Sequence, residues 1–343
     1  MTFRWFGASD PIPLAYIRQI PGVRGVVSAL YDLPVGAAWP KARLARLRED
    51  IDAAGLQLAV IESIPVHEDI KLGRPTRDRL IANYCESVRA MGELGVGVLC
   101  YNFMPVFDWM RTDLAMRLPD GSTALAFDDA ALGRIDLSRG TGDLPGWATA
   151  YKPDELRALV AAYRDVDAER LWDHLAYFLE RVVPAAEQAG VRLAIHPDDP
   201  PWPIFGLPRI ICRGTDLERL TKLVDRPANG ITFCTGSLGA LPENDLPAMV
   251  RRLGPRIHFA HCRNVQITGA RKFHETPHPS ALGGVDLRAV LAALRDIGFN
   301  GPIRPDHGRM IWGEQGRPGY GLYDRALGAT YLQGLWEGLA GKD

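Results

Sequence analysis

Four residues in the second half of the chain are of types that hold a divalent metal: His196, Cys234, His261 and Asp306. They are separated by 38, 27 and 45 residues, each near the length of one strand–helix unit. Two neutral imidazoles, a thiolate and a carboxylate together carry enough negative charge to neutralise a first-row dication. A neutral centre with an open position acts as a Lewis acid on a substrate oxygen. Thiolate favours zinc or iron, whereas carboxylate and open octahedral positions favour manganese, so the donor set alone leaves the metal open. Taken singly, each residue has a plainer role: a hydrogen-bonded core histidine, a small buried hydrophobe at Cys234 or a helix N-cap at Asp306. Their common level at the ends of successive strands makes the metal reading the stronger one. His258, three residues before His261, falls on the opposite parity of its strand and is expected to be structural.

Further polar groups stand at other strand ends. His307 follows Asp306 directly and is the best acid or base, because imidazole titrates near neutral pH. Arg304 shares the parity of Asp306, so it either binds an anion or locks that carboxylate. Arg263 and Asn264 follow His261, Asn102 closes the fourth strand, Glu62 and His67 follow the third, and Arg4 and Trp5 lie in the first. The segment GRPGYGLYDR brings Arg317, Tyr320 and Tyr323 after the last strand, and residue types do not choose between the two tyrosines. A metal, a histidine, tyrosines and arginines around one mouth suit small polar anions. Two proton chemistries fit. One removes the proton α to a carboxylate while a β-hydroxyl leaves, and the other interconverts an aldose and a ketose.

These residues need a scaffold that aligns strand ends. Eight short apolar runs alternate with helical patterns: Phe3–Phe6, Gly25–Ala29, Leu56–Glu62, Val96–Phe103, Arg192–Pro197, Gly230–Ser237, Arg256–Arg263 and Pro302–Gly308. Helices are expected at Pro13–Ile20, Lys41–Ala54, Thr76–Leu94, Leu171–Ala189, Thr215–Val224, Asp245–Leu253, Asp286–Ile297 and Tyr323–Leu339. Strands that are apolar without clean alternation are buried on both faces, as in a parallel sheet. Eight such units predict an α/β fold with a closed (β/α)8 barrel, a TIM barrel, whose C-terminal strand ends form one mouth. Residues 1–343 read as a single barrel domain. Residues 104–165 break the rhythm after strand four, contain DGSTALAFDD and SRGTGDLPGW, and are expected to form a cap over the mouth.

Composition excludes other classes. Forty basic residues meet 41 acidic ones, for a net charge of -1, so nucleic acid and anionic membranes are poor partners. No apolar run is long enough to span a bilayer. The N-terminus lacks a basic segment followed by an apolar one, and five cysteines without CxxC spacing suit a reducing cytosol. No GxGxxG or GxxxxGK[ST] stands at a strand–helix junction, so nucleotide cofactors are not indicated.

Over essentially its whole length the sequence resembles the D-mannonate dehydratase family. The motifs are RWFG near the start, LAIHPDDPP, TFCTGSLG, IHFAHCRNV, RPDHGRMIWGE and GRPGYGLYDRALG. The resemblance implies a barrel of the xylose-isomerase-like group, using Mn2+ or Fe2+ to convert D-mannonate to 2-dehydro-3-deoxy-D-gluconate and water in hexuronate catabolism. It implies metal ligation by His196, Cys234, His261 and Asp306, and catalytic roles for His307 and for Tyr320 or Tyr323. Arg4, Trp5, His67, Asn102, Arg263, Asn264, Arg304 and Arg317 are the expected substrate contacts. A cytoplasmic homo-oligomer is expected. The competing reading is a sugar isomerase or epimerase of the same barrel group.

Overall fold

The computed structural model describes residues 1–135 and 152–339. In chain order the strands are β1 (Thr2–Arg4), β2 (Gly25–Ser28), β3 (Gln57–Glu62), β4 (Val98–Tyr101), β5 (Asp113–Arg117) and β6 (Thr123–Asp128). There follow β7 (Arg192–Ile195), β8 (Asn229–Cys234), β9 (Ile257–His261), β10 (Asn264–Gly269), β11 (Lys272–Thr276) and β12 (Ile303–Arg304). Eight of them form one parallel sheet in the order β1-β2-β3-β4-β7-β8-β9-β12. The expected barrel is thus present, though its seam differs from a fully laddered closure. No backbone ladder joins β1 to β12, and the Thr2 hydroxyl instead donates to the Ile303 carbonyl at 3.0 Å. The last strand is also shorter than expected, because Pro302 and Pro305 flank it and neither has an N–H to continue the ladder.

Side-chain parity organises the barrel interior. Val27, Val60, Val98, Cys100, Ala194 and Phe259 form a separate buried cluster that fills the lumen. Two residues further along their strands stand Glu62, Asn102, His196 and His261, after Val60, Cys100, Ala194 and Phe259 respectively. The same step leads from Thr232 to Cys234 and from Arg304 to Asp306. The lumen is therefore apolar at its floor and polar at its C-terminal mouth. Phe259 sits directly under His261, with ring centroids 4.5 Å apart. Outside the strands, helices bury their apolar faces in the main core. The helix Ala168–Gln188, capped by the Asp167 carboxylate, contributes Leu171, Leu175, Phe178, Leu179 and Val182.

The segment after β4 does more than cover the barrel. Its strands β5 and β6 join the hairpin β10–β11, which follows β9, in an antiparallel sheet ordered β10-β11-β6-β5. The DGSTALAFDD stretch supplies β6, and residues 136–151, including SRGTGDLPGW, lie outside the described residues. Phe127, Phe273 and Trp202 pack as an aromatic cluster with centroids 5.5 to 6.0 Å apart, joining this sheet to the loop after β7.

Candidate active site

The four proposed metal ligands meet at the mouth. Donor atoms of His196, Cys234 and His261 all lie within 4.8 Å of one another. Asp306 Oδ2 joins them at 3.7 Å from both Cys234 Sγ and His261 Nδ1. The ladder explains part of this, since Cys234 and Arg304 are both in register with His261. Asp306 has a left-handed backbone (φ 61), uncommon for a residue with a side chain and characteristic of functional sites.

The surroundings prepare these atoms to receive a cation. His196 Nδ1 donates to the Pro197 carbonyl at 2.7 Å, which leaves Nε2 as the ring nitrogen a metal would take. Among the described residues, neither ring nitrogen of buried His261 has a hydrogen-bond partner, a costly arrangement unless something else satisfies them. Burial alone would push the Cys234 thiol up, but Arg263, His196 and His261 outweigh it and hold the thiol well below its ordinary range. The Ser237 hydroxyl donates to the same sulfur at 3.2 Å. Burial disfavours a charged His196, yet the Cys234 sulfur, Asp306 and Glu62 push it up to about 9. The pocket thus draws positive charge to where a metal would sit, and the residues fit a divalent ion.

A second trio, Glu62, Cys100 and His261, is also close enough to share an ion. It suits one less well. Burial pushes the Cys100 thiol far up, so it stays protonated, and Glu62 is already paired with Arg4 at 3.2 Å and Arg304 at 3.1 Å.

Beside the cluster runs a chain of three side chains. Glu275 Oε1 lies 2.7 Å from His307 Nδ1, and His307 Nε2 lies 2.9 Å from the Tyr320 hydroxyl. Burial pushes the Tyr320 phenol up to about 12, with Arg304 opposing, so Tyr320 is a proton donor at neutral pH. Tyr323 is elsewhere: it is 43% exposed, packs tilted against Trp312 with centroids 5.6 Å apart and lines only an outer bowl. Geometry therefore separates the two tyrosines.

The other predicted contacts divide. Arg4, Asn102 and Arg304 line a small inner cavity of about 60 Å³ together with Trp109, His307 and Tyr320. Nε and Nη1 of Arg304 have no hydrogen-bond partner among the described residues. Arg317 lines the outer bowl, of about 810 Å³, which shares Trp109 and Tyr320 with the inner cavity. Four others line neither the inner cavity nor the outer bowl. Trp5 packs in the main core. His67 caps the short helix Glu68–Lys71 by accepting from the Asp69 amide at 3.0 Å. Asn264 clips its own loop, accepting from Val285 N and donating to the Pro279 carbonyl. Arg263 donates to Asp306 at 2.8 Å, Glu275 at 3.0 Å, Asp199 at 2.7 Å and Ser237 at 3.2 Å, so its guanidinium is held within the protein. His258 points away as expected, bonded to the Leu193 carbonyl at 2.8 Å.

Sequence reasoning passed over Glu275, Asp199, Arg111, Asp108 and Trp109. Arg111 donates to both oxygens of Asp199 at 2.8 and 3.0 Å and to Glu275 at 2.8 Å, closing a buried ring of two arginines and two acids with Arg263. The DD of HPDDPP and the alternation of Phe273 with Glu275 were the available signals.

Fold and site together define a (β/α)8 barrel with a buried nitrogen–sulfur–oxygen cluster close enough to share a cation, beside a hydrogen-bonded histidine–tyrosine pair. The chain matches the family described as D-mannonate dehydratase (UxuA) over residues 1–342. It is 56% identical over 342 residues to "Mannonate dehydratase 2" of Halalkalibacterium halodurans, covering 99% of each chain. It superposes on the crystal structure of mannonate dehydratase from Streptococcus suis serotype 2 with a TM-score of 0.93 at 50% identity, covering 100% of this chain and 96% of that one. A xylose isomerase domain protein from Planctomyces limnophilus shares the fold alone, with a TM-score of 0.56 at 15% identity over 99% of this chain and 97% of that one. The chain belongs to the D-mannonate dehydratase family.

Proposed function

We propose that the protein dehydrates D-mannonate to 2-dehydro-3-deoxy-D-gluconate and water, a step of hexuronate breakdown, with Mn2+ or Fe2+ as its metal. The observation that carries this reading is the His307–Tyr320 pair at 2.9 Å, set on the wall of the cavity that also exposes His196 and Asp306. Family membership over the whole chain favours elimination over sugar isomerisation.

His196, Cys234, His261 and Asp306 would hold the metal, which when bound supplies Lewis-acid polarisation of a substrate oxygen. Arg304, with two unpaired nitrogens, and Arg4 supply charge-assisted recognition of the substrate carboxylate. Asn102 lines the same cavity, where its amide would reach a substrate hydroxyl. The His307–Tyr320 pair moves the protons. It takes up the proton from the carbon α to the carboxylate and returns one to the β-hydroxyl, which departs as water. The enol left behind tautomerises to the 2-keto product, and no proton is gained or lost overall. Trp109, Tyr320 and the outer bowl flank the path to solvent. No helix among the described residues is long and apolar enough to cross a membrane, and all five cysteines are free and buried, which suits the cytoplasm.

The test is direct. Protein loaded with Mn2+ or Fe2+, its occupancy measured, is incubated with D-mannonate and assayed for a 2-keto-3-deoxy acid. Product formation is expected. A fully metallated protein that forms none sinks the assignment.

A further inference from the structure

We propose that Glu275, on the β10–β11 hairpin, is a positioning residue that fixes His307 with its proton on Nδ1 and its lone pair on Nε2 facing Tyr320. This rests on the reaction assigned above. An ionised carboxylate only accepts hydrogen bonds, so the 2.7 Å contact demands N–H on Nδ1. The Nε2 lone pair then accepts the Tyr320 hydroxyl at 2.9 Å. The opposite tautomer would set a ring N–H against that hydroxyl, and the pair could no longer take up a proton there. Rotation of the ring is restrained too, with Trp109 packed 5.2 Å from it, centroid to centroid.

Glu275 is itself held. Its Oε1 also accepts from Arg111 at 2.8 Å and Arg263 at 3.0 Å, and Asp199 bridges the same two guanidiniums. Oε1 thus takes all three contacts, while Oε2 is buried without a hydrogen-bond partner among the described residues. That asymmetry makes the position testable. In Glu275→Gln the carbonyl oxygen can take the place of Oε1 and keep the acceptor. In Glu275→Leu the acceptor is gone.

Both variants, metallated to measured occupancy, are assayed on D-mannonate with kcat and KM separated. Glu275→Leu should lose ~100-fold or more in kcat with little change in KM, the cost of an imidazole in the wrong tautomer. Glu275→Gln should recover most of that loss. Wild-type kcat in Glu275→Leu, a loss confined to KM or to metal content, or a Gln variant as slow as Leu each overturns the proposal. A second measurement needs no stable variant and no turnover. Ring 15N shifts of His307 in the wild-type protein, assigned against His307→Asn, should report protonation at Nδ1 when the ring is neutral. Protonation at Nε2 refutes the proposal. Absence of dehydratase activity in the wild type refutes the reaction alone, since the ring shifts still decide the tautomer.

Discussion

Replacing Cys234 with alanine separates the metal centre from the fold that carries it. The sulfur is fully buried, so its loss leaves a void of about one methyl group, which costs ~1 kcal/mol. Part of that is offset, because the variant no longer buries a thiolate held ionised by Arg263 and His196. Stability should therefore change by no more than ~1 kcal/mol, and the melting temperature by only a few degrees. Metal affinity should respond far more. Removing a group that merely orients a ligand costs ~10- to 100-fold, so removing the anionic ligand itself should cost at least ~100-fold, or about 2.7 kcal/mol. Equilibrium dialysis against a series of Mn2+ concentrations, with elemental analysis of the retained protein and a parallel thermal melt, reads both quantities. A folded Cys234→Ala protein that binds one Mn2+ per chain with unchanged affinity would refute the assignment of this cluster as the metal site.

Tyr320→Phe should keep the ring packing and lower kcat by ~10²- to 10⁴-fold, whereas Tyr323→Phe should leave kcat unchanged; equal losses in steady-state assays would contradict the geometric separation of the two. Asn264→Ala should destabilise the loop after β9 by ~1 to 3 kcal/mol, measured by urea unfolding, while folded protein retains its turnover. Burial holds His258 down to about 4, so between pH 6.5 and 4 the unfolded chain binds more protons there than the folded one. Stability should accordingly fall by about 3 kcal/mol as acid crosses that window, and His258→Asn should flatten this slope in melts taken across the range. A slope identical to wild type would place the acid sensitivity at other groups.

The parity of barrel strands was legible because it is a local property. Ala194 and His196, or Phe259 and His261, carry their relationship in two residues of spacing, and four repeats of that relationship suffice to bring His196, Cys234, His261 and Asp306 to one level. The loop after β9 was not legible in this way. Asn264 follows His261 closely in sequence, yet the chain turns into a hairpin there and the side chain binds Pro279 and Val285 instead. Arg263 reads as an anion-binding residue until its partners are known, and Asp306, Asp199 and Ser237 among them come from other barrel units. The alternation of Phe273 with Glu275 marks a strand, but what Glu275 meets there was hidden for a related reason. Its β11 pairs with β6, some 150 residues earlier in the chain, and such a pairing has no local signature. The seam escaped notice because Thr2 closes it with one hydroxyl, which no pattern of apolar residues encodes.

The mixed parentage of the antiparallel sheet has a consequence for protein engineers. The early segment supplies Arg111, β5 and β6, while the late hairpin supplies Glu275. Grafting either piece alone onto another barrel would leave a bare strand edge and part the buried Arg111–Glu275 ion pair. The two stretches must be transplanted as one cassette, and natural recombination breaking between them would face the same barrier.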